Sequence, residues 1–150
     1  MTRAPRRPIS VLVVVYTREG EVLALKRTRP FEFWQSITGS LLDGETHAEA
    51  AARELEEETG LCVSGENLSY TGVSRVFVID ARWRHRYPDG IVENVEFEWH
   101  LCLDSREDVR LNPAEHSKFE WLHIDEAIER FWSWTNVEAL QGIQRNLPLK

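Results

Sequence analysis

The chain has 150 residues, 42% of them hydrophobic and 29% charged, a composition typical of a globular domain that excludes wholesale disorder. Its 18 Lys and Arg residues against 25 Asp and Glu residues give a formal net charge of −7. This balance argues against a general nucleic-acid-binding protein, because affinity for a phosphate backbone depends on clustered positive charge, but it is compatible with a small anionic substrate held through a metal ion. We expect a single domain over residues 1–150.

The N-terminal residues include three arginines followed by an apolar run, an arrangement that superficially resembles a signal peptide. The run is short, lacks an A-x-A-like cleavage site and leads into a second apolar run, so a β-hairpin with strands at residues 9–16 and 22–25 explains it better. No stretch approaches the ~20 apolar residues of a membrane-spanning helix. Neither Cys62 nor Cys102 lies in a C-x-x-C unit. These features predict a soluble cytoplasmic protein with no membrane partner, disulfide framework or zinc site.

The hairpin is followed by a predicted loop at residues 28–36 and then by a predicted helix. Thr46 is a suitable N-cap, and Glu49 three residues later completes the pattern of a capping box. Residues 48–58 are strong helix formers, and Gly60 is suited to end the helix.

The second half of the chain predicts strands followed by helices. The predicted elements are long strands at residues 68–80 and 91–103, a basic and aromatic connection at 82–90, a short strand at 118–122, and closing helices at 125–131 and 136–146. Strands around a mid-chain helix, with further helices at the end, predict an α/β sandwich around a mixed sheet.

The mid-chain helix is strongly acidic. Successive helical residues advance by about 100°, which places Glu54, Glu57 and Glu58 on one face. Like charges at these spacings each cost a few tenths of a kcal/mol, and a bound divalent cation would remove the conflict, since Mg²⁺ and Mn²⁺ prefer oxygen ligands. The alternative interpretation is a solvated acidic face. The apolar stripe beside these carboxylates is predicted from Ala48, Ala51 and Leu55, with small Ala50 leaving room above the acidic face.

The spacing around this helix is more specific than its charge. Gly39 is followed after five residues by Glu45, and after seven more by the sequence RELEEETGL at residues 53–61. This pattern resembles the Nudix box, G-x5-E-x7-R-E-U-x-E-E-x-G-U with U aliphatic, at every specified position. The resemblance implies the Nudix fold, an α/β/α sandwich with a mixed sheet and a loop–helix–loop box. It also implies hydrolysis of a diphosphate linked to another moiety.

Membership of this family would assign roles to the box residues. The resemblance implies that Glu54, Glu57 and Glu58 hold Mg²⁺, with Mn²⁺ as the alternative, and that Arg53 orients the box glutamates. Glu57, Glu58 and Arg53 are the catalytic candidates, and Glu45 is expected to support the loop. Gly39 and Gly60 are expected where the backbone approaches a neighbour closely or has positive φ.

A further metal ligand is expected from a late loop, where Nudix enzymes often contribute a glutamate. Glu115 matches that place, and a box glutamate or Glu115 is the candidate for the general base. The alternatives are that Glu115 is a surface carboxylate, or that Glu96, Glu98 or Glu120 takes this role.

Within the family, the chain is most similar to the bacterial dihydroneopterin triphosphate diphosphatases, on the stretches at residues 7–14, 33–40, 84–87 and 133–136. This resemblance implies substrate contacts from Arg6, Arg27, Thr38 and Ser133. Arg27 is alternatively a solvated strand end, and the basic stretch at residues 84–87 is either an attractor for the triphosphate or an exposed hairpin tip. Six aromatic residues are expected to stack on the ring of the substrate, and the alternative is that they pack in the hydrophobic core. They are Phe33, Trp34, Phe77, Tyr87, Trp132 and Trp134.

The expected reaction is metal-dependent hydrolysis of 7,8-dihydroneopterin 3′-triphosphate to the monophosphate and pyrophosphate, a step in folate synthesis. Two alternatives stay open at this point. One is a house-cleaning nucleoside triphosphate diphosphatase, and the other is a non-catalytic Nudix domain that binds a nucleotide or a protein.

Overall fold

The computed structural model describes residues 5–61 and 67–147. Within these ranges it contains β1 (Ile9–Thr17), β2 (Glu21–Arg27), β3 (Phe33–Gln35), β4 (Ile37–Ser40), α1 (His47–Thr59), β5 (Leu68–Val78), a one-turn 3₁₀-helix (Arg84–Arg86), β6 (Glu93–Leu103), β7 (Lys118–His123), α2 (Ile124–Arg130) and α3 (Trp134–Arg145). The predicted hairpin, mid-chain helix, long strands and closing helices are confirmed within a few residues at each end. Cys62 lies outside the described residues.

β1 is the centre of a mixed sheet. It pairs in parallel with β6 along its whole length, from Ile9–Val95 to Thr17–Leu103, and β5 pairs antiparallel with β6. On its other edge β1 pairs with β2 only at Tyr16–Val22, after which the two strands diverge. β4 pairs antiparallel with the first half of β1, while β3 and β7 both pair with β2. The divergence of the hairpin thus lets β4 lie against β1.

The predicted loop at residues 28–36 is the main error in the predicted elements, because its end forms β3 and the residues after it form β4. Both strands are very short, and they exist because β2 and β1 offer them unpaired edges. Such pairing depends on partners distant in the chain, so the local sequence carried little signal for it.

The two faces of β1 pack against different helices. Val11, Val13 and Val15 belong to the apolar cluster that includes residues of α1, whereas Leu12 and Val14 belong to the cluster that includes residues of α2 and α3. A strand covered on both faces is continuously apolar, which explains the unbroken hydrophobic run at residues 11–15. The α/β/α sandwich expected from the sequence is confirmed. No helix in the described ranges has the length and apolarity needed to cross a membrane.

α1 begins and ends as its sequence predicts. Thr46 and Glu49 form a reciprocal capping box, and Gly60 ends the helix with a φ of 75°. The predicted orientation of the helix was wrong in one respect: Ala48 is exposed, and Ala50 is fully buried. Ala50 lies about 40° from Glu54 around the helix axis, so the buried face is rotated onto the acidic face instead of running beside it.

Candidate active site

The carboxylates of α1 converge as predicted. Glu54, Glu57 and Glu58 each offer a carboxylate oxygen, and these atoms lie within 4.8 Å of one another. Glu57 is exposed, but Glu54 and Glu58 are buried because the rotation of α1 turns them toward the sheet. The alternative of a merely solvated acidic face is therefore wrong for Glu54 and Glu58.

Burial of these carboxylates changes their acidity. Removal from water raises the pKa of Glu54 to about 7, against the opposing effect of the Arg53 guanidinium, and the charges of Glu57 and Glu58 raise it further. A cluster of hard oxygen donors with suppressed ionisation fits a divalent cation, whose charge would stabilise the ionised form. The residues present thus fit the Mg²⁺ or Mn²⁺ that the sequence pattern implies.

Arg53 connects the carboxylates to the loop that precedes α1. Its Nε lies 2.7 Å from Oε2 of Glu45, and its Nη2 lies 2.9 Å from Oε1 of the same residue. Nη1 donates to Glu54 at 2.8 Å and to Glu57 at 3.2 Å, and Nη2 also donates to the Ser40 carbonyl. Glu45 in turn accepts a hydrogen bond from the Leu42 N–H, and the hydrogen bond from Arg53 lowers the pKa of Glu45. One guanidinium thus contacts three box glutamates, and Glu45 also supports the loop as expected.

Gly39 of β4 lies directly against the Glu54 side chain. A Cβ at this position would overlap the carboxyl group of Glu54. Glycine was expected at these positions either because the backbone approaches a neighbour closely or because φ is positive. Gly39 is a case of close approach, whereas Gly60 has a positive φ.

His116 is a site residue that the sequence did not indicate. It is buried, its Nδ1 lies 2.8 Å from Oε2 of Glu58, and its Nε2 lies 3.0 Å from Nε2 of Gln35. An amide nitrogen can only donate, so His116 Nε2 is the acceptor and Nδ1 carries the proton donated to Glu58. Its only sequence signal is its position next to Glu115, since its two partners lie 58 and 81 residues away.

Glu115 lies in the same cleft but outside the group of three carboxylates found in the described residues. Its Oε2 is 3.3 Å from Nη2 of Arg27, so a strand-end arginine and a late-loop carboxylate face each other across the cleft. The rival carboxylates lie elsewhere. Glu98 pairs with Arg75 and His100, Glu120 pairs with Arg130, and Glu96 lines a neighbouring cavity.

Two adjoining cavities meet at this site. The first, of about 340 Å³, is lined by the three carboxylates together with Arg6, Arg27, Thr38 and Glu115. The second, of about 350 Å³, shares Arg6, Arg27 and Thr38 with the first. The structure therefore brings together all of the predicted site residues, with Ser133 in the second cavity.

Six of the nineteen described residues that line the second cavity carry aromatic rings. Its ring-bearing walls are Phe33, Phe77, Trp83, Tyr87, Trp132 and Trp134. Trp83 was missed by the sequence reasoning, and Trp34 does not line the cavity but packs against the cluster that contains α2 and α3. Of the stretch at residues 84–87, only Tyr87 lines either cavity, and Arg84 donates to the Ile79 carbonyl. Among the described residues, the basic part of that stretch thus does not face the acidic cleft.

Comparison with known proteins places this geometry in a family. Residues 6–141 match the model of the NUDIX domain. The chain is 37% identical over 139 residues to the dihydroneopterin triphosphate diphosphatase of Escherichia coli strain K12, with 91% of each chain covered. It is 36% identical over 141 residues to the enzyme of that name from Haemophilus influenzae, covering 92% of this chain and 88% of the relative.

The fold comparison agrees with the sequence comparison. The solved structure of the E. coli dihydroneopterin triphosphate pyrophosphohydrolase superposes with a TM-score of 0.88 and 35% identity, covering 96% of this chain and 99% of the other. The similarity therefore extends well beyond the acidic helix and includes the segments that form both cavities.

Proposed function

This chain belongs to the Nudix hydrolase family, and from that premise we propose that it hydrolyses 7,8-dihydroneopterin 3′-triphosphate to dihydroneopterin monophosphate and pyrophosphate. The single observation that carries the proposal is the junction of the two cavities. A carboxylate and arginine cleft adjoins an aromatic pocket, and the two share Arg6, Arg27 and Thr38. This arrangement suits a substrate with a charged triphosphate at one end and a flat ring at the other.

The metal in this proposal is Mg²⁺, with Mn²⁺ as the alternative. Glu54, Glu57 and Glu58 are the residues that would hold it, with Glu115 as a further ligand from across the cleft. The chemistry supplied by such a cation is neutralisation of phosphate charge and a lowered pKa of the attacking water.

The side chains of this chain supply positioning and proton transfer. Arg27 presents its guanidinium at the boundary of the two cavities, where it can hold a phosphate by two parallel hydrogen bonds. Arg6 and Thr38 also line both cavities and would contact the same phosphate chain. Arg53 fixes the direction of Glu54 and Glu57, and His116 fixes that of Glu58. These fixed positions matter because phosphoryl transfer depends mainly on alignment and charge stabilisation.

The reaction itself requires a base and a leaving group. Glu57, Glu58 or Glu115 accepts a proton from the attacking water, a new P–O bond forms, and the P–O bond to the leaving group breaks. Pyrophosphate departs and the pterin-bearing monophosphate is left, so no co-reactant besides water is consumed.

The substrate assignment is tested by comparing kcat/KM for dihydroneopterin triphosphate with that for each common nucleoside triphosphate at one Mg²⁺ concentration. We expect the pterin to be preferred and pyrophosphate to be released. If a nucleotide were hydrolysed more efficiently than the pterin, the chain would instead be a house-cleaning nucleoside triphosphate diphosphatase. The aromatic cavity is compatible with that alternative, since purines are also flat. Release of orthophosphate would refute the cleavage position.

A further inference from the structure

Glu96 is a buried carboxyl group that the proposed mechanism does not use. It lies on β6, is only 4% exposed and lines the aromatic cavity. Thr135 hydrogen-bonds to the carboxyl group, but Oε1 has no hydrogen-bond partner among residues 5–61 and 67–147. A buried acceptor without a donor is costly, and native proteins seldom keep one without a reason.

The cavity around Glu96 has a wall of aromatic rings that pack against one another. Phe33, Trp83 and Trp132 line the same cavity, and their ring centroids lie 5.4–5.8 Å apart. The faces of these rings offer contact to a flat ligand, but neither phenylalanine nor tryptophan carries a hydrogen-bond acceptor for N–H groups at the edge of the ligand. Glu96 provides a buried acceptor in a lining that contains both aromatic and polar side chains, and a few well-placed polar groups are what fix the orientation of a ligand in a binding pocket.

We propose that Glu96 determines ring specificity by accepting hydrogen bonds from the two adjacent N–H donors of a 2-amino-4-oxopyrimidine ring. This inference rests on the proposed function, because the dihydropterin is such a ring. Its 2-amino group and the neighbouring ring N–H point in the same direction, which matches the two oxygens of a carboxylate. Guanine carries the same donor pair, whereas adenine presents an acceptor nitrogen beside its amino group.

Asn136 supplies the complementary donor in this cavity. Its Oδ1 accepts a hydrogen bond of 2.9 Å from the Ser36 N–H, which fixes the amide so that Nδ2 is its donor end. The side chain is buried and lines the same cavity as Glu96. A donor of this kind suits the 4-oxo group next to the ring N–H, so the pair Glu96 and Asn136 matches the ring's sequence of donor, donor and acceptor.

The acidity of Glu96 is consistent with this role. Burial raises the pKa of Glu96 to about 7, with the Thr135 hydroxyl and the Arg75 charge opposing that effect. Near neutral pH, ionisation of this carboxyl group therefore costs little free energy. The ionised form only accepts hydrogen bonds, so it can bind two donors of a ligand.

The test is Glu96→Gln, with Glu93→Gln as the control, because Glu93 is exposed on the same strand. For Glu96→Gln we expect kcat/KM for dihydroneopterin triphosphate and GTP to fall at least tenfold, mainly through KM. For ATP and inorganic triphosphate we expect it to stay within twofold. A metal-free binding titration with neopterin, which lacks phosphate, should show the same loss of affinity.

The outcomes separate this inference from the proposed function. An equal loss with all substrates would show a structural role for Glu96, and unchanged pterin and GTP kinetics would show no role, so either result overturns the inference. If the parent protein prefers a nucleotide to the pterin, the proposed substrate fails, and the comparison of GTP with ATP still decides whether Glu96 recognises the donor pair.

Discussion

His116 donates from Nδ1 to Oε2 of Glu58 while accepting from the Gln35 amide, so a buried imidazole links the acidic helix to β3. Both ring nitrogens of His116 are therefore in use as hydrogen-bonding atoms. Such a ring restricts the direction of the carboxylate it contacts. In metal sites, outer groups of this kind orient the ligands themselves.

Replacement of His116 by alanine should weaken Mg²⁺ affinity by about 10–100-fold, the range typical of groups that orient a ligand. Because the Gln35 amide would lose its buried acceptor, the free energy of unfolding should also fall by about 1–3 kcal/mol. A Mg²⁺ titration of activity and a denaturant unfolding curve measure these effects. His85→Ala is the control, since His85 is exposed; parent-like Mg²⁺ dependence of His116→Ala would contradict the positioning role.

Glu58→Gln preserves the size of the side chain and its acceptor for His116 but removes a charge. Turnover should fall by more than about 100-fold, beyond the effect of groups that only orient a ligand. Without metal, the melting temperature should be unchanged or higher, because repulsion from Glu54 and Glu57 is relieved. Calorimetry in EDTA and kinetics at limiting Mg²⁺ check both points. Unchanged activity would refute Glu58 as a ligand.

Glu115→Gln should reduce kcat with little change in stability, because Glu115 is partly exposed and its described ion pair is with Arg27. Glu56→Gln is the matched control, since Glu56 is on the exposed face of α1, and it should behave like the parent protein. Steady-state kinetics and thermal melting of the two variants make the comparison. If kcat is the same in both, Glu115 has no part in the reaction.

Gly39→Ala should lower the free energy of unfolding by about 1–3 kcal/mol and reduce activity, because the added Cβ displaces the Glu54 carboxyl group. Gly142→Ala is an informative contrast. It lies inside α3, where a Cβ meets Arg145 Nη2 at an ordinary 3.7 Å, so it should stabilise the protein by up to about 1 kcal/mol. Urea unfolding of both variants tests the pair, and equal stability of Gly39→Ala and the parent would contradict the close approach.

The stability of the protein should depend on Glu96 between about pH 4.5 and pH 7. The folded pKa of about 7 lies above the ordinary value of 4.5, so the folded state binds the proton more tightly than the unfolded state. This contribution is complete at low pH and is lost as the pH rises through 7. The free energy of unfolding of Glu96→Gln minus that of the parent should therefore be larger at pH 8 than at pH 5. The increase should be on the order of 3 kcal/mol. Thermal melts at both pH values, with Glu93→Gln unchanged, test this sign.

The acidic helix was predictable because its information is local. The 3.6-residue period places Glu54, Glu57 and Glu58 on one face, and the fixed spacing to Gly39 and Glu45 identifies the surrounding loop. The rotation of the helix was not predictable in the same way, because whether Ala48 or Ala50 is buried depends on how the helix packs against the sheet.

The remaining site residues depend on contacts between distant parts of the chain. His116 has significance only once β3 and α1 are adjacent, and Trp83 only once its loop lies over β3. Glu96 follows the alternation of an ordinary strand, so its sequence context could not distinguish it from Glu98, which is held by Arg75 and His100. Tertiary pairing separates the two.

The parallel pairing of β1 with β6 also affects how the protein is made. The register joins Ile9 to Val95 and Thr17 to Leu103, so the central contact of the sheet spans more than half of the chain. During synthesis the β6 edge of β1 cannot be fully paired until Leu103 has left the ribosome, although the apolar residues 11–15 emerge early. Contacts of such long sequence separation form slowly because a large loop must close first. The nascent chain therefore carries an exposed, aggregation-prone strand edge for most of its translation.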